Sequence, residues 1–164
     1  MVILEVVLVT ATLLCSLVAG FVFAFAVVVM PGIKNLKDAE FIRAFQVMDG
    51  VIQNNQPLFI LVWMGSTLTL VIAAVLGLFE FTGVRRALLV IAAAIHVLVV
   101  QLPTIRINIP LNNKLQRFDV DTTSEREQQL ARSEFEPQWN RWNNIRTFFA
   151  SVVSLLLIIL LLQP

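Results

Sequence analysis

Four residues near the C-terminal apolar block share one side of a predicted helix. At about 100° per residue, Trp139, Trp142, Asn143 and Arg146 fall within one arc. An arginine and an amide on such a face can bind an anionic group and stabilise negative charge that develops on an oxygen. The two indoles can stack on a flat aromatic ligand. The alternative is an aromatic belt at a membrane surface with a snorkelling arginine.

The single histidine, His96, is a second candidate. At about 100° per residue His96 and Thr104 share an arc, and Asn108 follows at the end of the same apolar block. Ionisable groups are costly in lipid, so a histidine there is a candidate proton acceptor. The alternative is a histidine that hydrogen-bonds a neighbouring helix and only packs. We predict no metal site, because transition metals need several ligands, and nothing supports a heme on His96.

Composition defines the elements that must position these residues. The chain has 164 residues, of which 58% are hydrophobic and 14% charged, and its net charge is +1. Soluble domains carry roughly 25% charged residues, so this is a small integral membrane protein of one domain, 1–164. The near-neutral charge offers no basic field for nucleic acid. With one cysteine, Cys15, the chain cannot form an internal disulfide.

The apolar residues form four blocks, each long enough for a span of about 20 residues. We predict spans at about 6–30, 58–81, 84–107 and 144–162. Because open sheets cannot cross a bilayer, the predicted fold is an all-α bundle of four transmembrane helices. Pro31-Gly32 is expected to end the first span. Small residues at four-residue steps in the first two spans favour close helix packing, either within the bundle or in a homo-oligomer.

The connections between the spans are unequal in length. The second is a tight turn around Thr82-Gly83. The first is long, and a short amphipathic helix is predicted there, capped by Asp38. The third, from Asn108 to about Glu136, is the most polar and partly helical, with a capping box at Ser124 and Glu127. Pro137 either starts the last helix or kinks a continuous one.

The orientation in the membrane stays open. Ten of the twelve basic residues lie on the side of the two long connections, which places that side in the cytoplasm. The pair Arg85-Arg86 is concentrated in a very short loop, which favours the reverse. In either case both long connections emerge on one side, so a polar site forms most easily at that end of the bundle.

Several of these motifs resemble a known family. Met30-Pro31-Gly32 ends the first span, 108–113 reads Asn-Ile-Pro-Leu-Asn-Asn, and 139–146 contains Trp-x-x-Trp-Asn-x-x-Arg. Together with four short spans they resemble the anthrone oxygenase-like family of small membrane proteins. In bacteria that family is largely a domain of unknown function. The resemblance covers nearly the whole chain and implies a multi-pass protein of a bacterial cytoplasmic membrane.

The resemblance implies a chemistry and a set of matching positions. Fungal members are associated with the oxidation of anthrones to anthraquinones. The matching positions here are Asn108, Pro110, Leu111, Asn112, Trp139, Trp142, Asn143 and Arg146. Many relatives have histidine directly after the Trp-Asn pair, where this chain has Asn144, so His96 is the remaining histidine that could act as a base.

The resulting hypothesis is a membrane oxygenase that oxidises or binds a flat, quinone-like molecule at the long-connection end. The catalytic candidates are His96, Arg146 and Asn143, and the ligand-binding candidates are Trp139, Trp142, Asn108, Asn112 and Thr104. The partners are the lipid bilayer and a small hydrophobic aromatic ligand, while the sequence identifies no cofactor. The alternatives are a non-enzymatic scaffold, assembly factor or accessory subunit, and a small transporter. A cavity of roughly 300–1,000 Å³ would favour ligand binding over a scaffold.

Overall fold

The computed structural model of the protein describes residues 2–163, and no strand occurs within them. Five helices follow one another along the chain: α1 (Val2–Ile33), α2 (Asp38–Gln53), α3 (Pro57–Glu80), α4 (Gly83–Gln116) and α5 (Glu125–Leu162). By length and composition, all of them except α2 can cross a membrane. The predicted all-α bundle with four spans and a short helix in the first connection is therefore confirmed.

The four long helices pack around a common apolar core. α1 contacts α3 and α5, and α4 contacts α5 and α3. Two glycines of α3 allow this close approach: a Cβ on Gly77 would lie 2.5 Å from a methyl of Leu89 in α4, and one on Gly65 would lie 3.1 Å from Leu14 in α1. The small-residue stripe of α3 therefore serves packing within the bundle.

Three helical segments are wound more widely than an α-helix, and prolines explain their positions. Phe25–Val29 in α1 and both His96–Gln101 and Thr104–Asn108 in α4 form π-helix. In an α-helix a proline clashes with the carbonyl four residues earlier. For Pro31, Pro103 and Pro110 that carbonyl lies within one of these three segments, where the wider turn accommodates the ring.

The helix ends differ from several predictions. Pro31-Gly32 does not end α1, which continues through Ile33. Asn108 does not begin the third connection, because α4 runs on to Gln116. The last helix starts at Glu125, ahead of the predicted span at about 144–162, and it is continuous through Pro137, so Pro137 does not start it. The capping box is confirmed: the Ser124 hydroxyl accepts from Glu127 N, and the Glu127 carboxylate accepts from Ser124 N.

Helix α2 lies on the end of the bundle, held to α5 and the end of α4. Phe41 and Phe45 on one face are buried against Phe135 of α5. Gln46 Nε2 donates to the carbonyls of Leu115 and Phe118. The packing fixes the height and rotation of α2 over the bundle.

A single arginine of α5 ties the start of α2 in place. Arg132 donates to the carbonyls of Lys34 and Leu36 and pairs with the carboxylates of Asp38 and Glu136. Asp38 therefore does not cap α2 as predicted. The α2 N-terminus is capped instead by Glu40, whose carboxylate accepts from the Lys37 backbone N–H.

Candidate functional site

A cavity of about 290 Å³ opens at the long-connection end of the bundle, where all five helices converge. α1 and α4 each contribute residues from in and around the π-helical segment near this end of the bundle. The rest of the wall comes from the second half of α2, the first turns of α3 and the middle of α5. The lining residues are Phe21, Val22, Phe25, Phe45, Asp49, Ile52, Gln53, Phe59, Trp63, Thr104, Asn108, Ile109, Asn112, Asn113, Trp139, Asn143 and Arg146.

One side of the cavity is aromatic. The rings of Phe59 and Trp63 are stacked, with centroids 5.4 Å apart and an angle of 20° between their planes. Phe21 meets both rings edge-on, and Phe25 lies between Phe21 and Trp139. Such a wall offers both faces and edges to a flat aromatic ligand.

The polar part of the cavity wall carries a buried cation. Arg146 is 4% exposed, and its Nη1 donates to Thr104 Oγ1 at 2.8 Å while its Nη2 donates to Asn143 Oδ1 at 2.9 Å. Asn143 is held in turn by its Nδ2, which donates to the carbonyl of Val22 at 3.1 Å. Within residues 2–163 no carboxylate lies at ion-pair distance from Arg146, and its Nε has no hydrogen-bond partner.

A buried amide in the same cavity wall is also left without partners. Asn108 is 2% exposed and lines the cavity. Neither its Nδ2 nor its Oδ1 has a hydrogen-bond partner among the described residues. Buried polar groups are nearly always hydrogen-bonded, so an amide of this kind indicates a position that a ligand or water can complete.

A carboxylate that sequence reasoning missed lies in the same cavity. Asp49 of α2 is 4% exposed; its Oδ1 accepts from Asn112 Nδ2 at 2.8 Å and its Oδ2 from Gln53 Nε2 at 2.6 Å. Asn112 also accepts from the Trp139 indole N–H at 2.7 Å. Burial raises the pKa of the Asp49 carboxyl above its usual value, although the hydrogen bonds from Gln53 and Asn112 act in the opposite direction.

The sequence did contain a signal for Asp49. It follows Phe41 and Phe45 at four-residue steps, so it lies on the apolar face of α2. A carboxylate in an apolar stripe is unusual, because such groups are seldom buried without partners. The aromatic residues Phe21, Phe25, Phe59 and Trp63 could not have been selected in the same way, since an aromatic in an apolar span is usually a packing residue.

His96 is buried elsewhere in the bundle and does not line the cavity. Its Nε2 lies 3.1 Å from Gln101 Nε2, 3.2 Å from Thr67 Oγ1 and 3.4 Å from Ser66 Oγ. Gln101 also donates to Thr67. His96 lies about two helical turns before Thr104 and contacts Thr67 and Ser66 of α3, whereas Thr104 accepts from Arg146 of α5, so the shared arc does not bring the two residues to one site.

The cavity thus brings together six of the eight predicted site residues. They are Arg146, Asn143, Trp139, Asn108, Asn112 and Thr104. Trp142 is only half-buried and lies outside the lining.

The fold and the cavity define a class: an all-helical, multi-pass membrane protein with a mixed aromatic and polar cavity at one end of a four-span bundle. Residues 59–156, more than half of the chain, match the family model described as anthrone oxygenase. The chain therefore belongs to the anthrone oxygenase family, as its motifs predicted. No curated protein and no solved structure matches it.

Proposed function

We propose that this protein binds a flat, apolar, oxygen-bearing aromatic molecule of the anthrone type in the cavity and oxidises it with dioxygen. The observation that carries the proposal is the pairing of an aromatic wall with unpartnered polar groups on Arg146 and Asn108. A volume of about 290 Å³ is at the small end of ligand sites, which run to roughly 1,000 Å³, and suits a rigid ligand.

The division of the cavity sets the orientation of the ligand. The ring system packs between the Phe59–Trp63 pair and Trp139, and its carbonyl oxygen faces the amide of Asn108 and the guanidinium of Arg146. As the ring methylene loses a proton, negative charge develops on that oxygen, and a buried cation stabilises such charge more strongly than water does. In the complete reaction one dioxygen converts the methylene to a second carbonyl and releases one water.

The alternative of a non-enzymatic scaffold predicts that the same residues only tie helices together. Arg146 does join α5 to α4, and Asn143 joins α5 to α1. A scaffold, however, gives no reason for the cavity beside them or for a buried amide without partners.

The test uses purified full-length protein in detergent micelles with anthrone as substrate. We expect anthraquinone to form faster than in micelles alone, measured by absorbance, and dioxygen to be consumed in equal amount. Removing one donor to a developing oxyanion lowers kcat by about 10²–10³, so the kcat of Arg146→Gln should be lower than that of wild type by this factor. The matched control is Arg106→Gln, because Arg106 is exposed on α4. A wild-type protein that neither binds anthrone nor oxidises it would favour the scaffold.

A further inference from the structure

The proposed oxidation begins with loss of a proton, and the described residues of the cavity wall include one group able to accept it. Among the described lining residues the titratable side chains are Asp49 and Arg146. His96, which the sequence suggested as a base, does not line the cavity. The candidate proton acceptor therefore lies on α2 rather than on α4.

Asp49 and Arg146 share the cavity without neutralising each other. Both are 4% exposed, yet no ion pair between them, or between either and another described residue, occurs within 4.0 Å. A buried charge without a counter-ion is unfavourable, so proteins retain such groups mainly where they act on a ligand. The two charges instead face the same space from α2 and α5.

The hydrogen bonds of Asp49 leave it free to take a proton. Each carboxylate oxygen accepts one hydrogen bond, from Asn112 and from Gln53. An ionised carboxylate has about four acceptor positions, so positions remain for a ligand proton. Burial raises the pKa of the Asp49 carboxyl, which makes it a stronger base than an exposed aspartate.

We propose that Asp49 is the general base, taking a proton from the ring carbon that lies across the ring from the oxygen bound by Arg146. This inference rests on the proposed function. The C–H bond breaks, the proton moves to a carboxylate oxygen of Asp49, and the electron pair delocalises through the ring onto the oxygen facing Arg146. The substrate class follows: planar aromatic ketones whose acidic methylene and carbonyl lie at opposite edges of one ring.

Proton removal can be measured separately from oxidation. Without dioxygen, anthrone in D₂O exchanges its methylene hydrogens, and mass spectrometry measures the rate above that of micelles alone. General bases contribute about 10²–10⁴-fold, so we expect Asp49→Asn to lose at least 100-fold of the catalysed rate while its Kd for anthrone stays within about threefold of wild type. Asp49→Glu should retain part of the exchange. The matched control, Asp121→Asn, removes an exposed carboxylate and should exchange like wild type.

A second measurement covers the case in which Asp49→Asn does not fold. The wild-type exchange rate should fall with decreasing pH, because the base must be ionised. The midpoint of this fall should lie above the ordinary aspartate pKa of 3.8. Arg146 of α5 is the other titratable group facing Asp49, and the described α4 residues of the lining contain none. Arg146 stays protonated there and adds no second step.

The outcomes separate this inference from the function on which it rests. Exchange lost in Asp49→Asn with binding retained supports Asp49 as the base. Exchange unchanged in Asp49→Asn, or a wild-type rate that does not fall at low pH, overturns it and leaves the proposed oxidation standing. A wild-type protein that fails to bind anthrone overturns the proposed function itself.

Discussion

Trp139 and Asp49 are joined by one bridging amide. The Trp139 indole N–H donates to Asn112 Oδ1 at 2.7 Å, and Asn112 Nδ2 donates to Asp49 Oδ1 at 2.8 Å. Because the indole can only donate, it fixes which end of the Asn112 amide faces the carboxylate. A residue of α5 therefore sets the hydrogen bonding of a carboxylate on α2 through a residue of α4.

The first prediction concerns this bridge. Trp139→Phe keeps an aromatic ring in the cavity wall but removes the indole donor, so Asn112 is free to rotate. Losing a hydrogen bond to the ionised form raises a carboxyl pKa, so the low-pH fall in anthrone exchange should move to higher pH. The shift should be about one pH unit, as for a hydrogen bond worth ~1.4 kcal/mol. An unchanged pH profile would show that the bridge does not act on Asp49.

The second prediction concerns the aromatic wall. Trp63→Leu removes the ring stacked on Phe59 and with it one aromatic contact to the bound ring system. Such an aromatic contact contributes about 0.5–1.5 kcal/mol beyond its buried area, so the Kd for anthraquinone should rise about 2- to 12-fold. Trp142→Leu is the matched control, since Trp142 lies outside the lining, and its Kd should equal that of wild type. Equilibrium dialysis in micelles measures both. If Trp142→Leu weakened binding more than Trp63→Leu, the ligand would lie elsewhere.

The third prediction concerns the amide of Asn108. Both of its polar atoms are buried without partners, and leaving such a group unsatisfied costs about 1–3 kcal/mol. Asn108→Leu should therefore raise the thermal unfolding midpoint of the ligand-free protein while weakening anthraquinone binding. Thermal unfolding in micelles, with and without ligand, measures both effects. Destabilisation in the absence of ligand would instead indicate a structural role for the amide.

The fourth prediction concerns His96. Its Nε2 faces Gln101, Thr67 and Ser66 within the bundle, so His96→Leu should destabilise the protein by about 1–3 kcal/mol, the cost of leaving buried donors unsatisfied. Anthrone exchange by the folded fraction should be preserved, because the ring is outside the cavity. A folded His96→Leu variant that lost exchange would restore the histidine as the base.

Much of the architecture follows from features that the sequence shows directly. Spans are set by the length of apolar blocks, and the Ser124–Glu127 capping box is local in sequence. Trp139, Asn143 and Arg146 meet the same cavity because α5 keeps regular α-helical spacing across them. In these regions local periodicity and tertiary position agree.

The rest depended on information that periodicity does not contain. The helical wheel placed His96 with Thr104 because it shows angle and not position along the axis, and their separation along α4 puts His96 against α3, away from the cavity. Asp49 reaches the cavity only because Arg132 and Gln46 hold α2 over the end of the bundle, and these contacts join residues far apart in sequence. The motif residue Trp142 is adjacent to Asn143 but faces away from the cavity lining.

The π turn at Thr104–Asn108 makes the α4 part of the cavity wall separable from the bundle that carries it. Each π turn holds about one residue more than an α turn, which is equivalent to a single-codon insertion absorbed inside a helix. Deleting one residue from Thr104–Asn108 would convert that turn to α-helix and leave both ends of α4 in place, but Thr104 and Asn108 would lose their positions. A single-residue deletion at this turn would thus remove the α4 part of the polar wall, Thr104 and Asn108, and leave Arg146 and Asn143 of α5 in place.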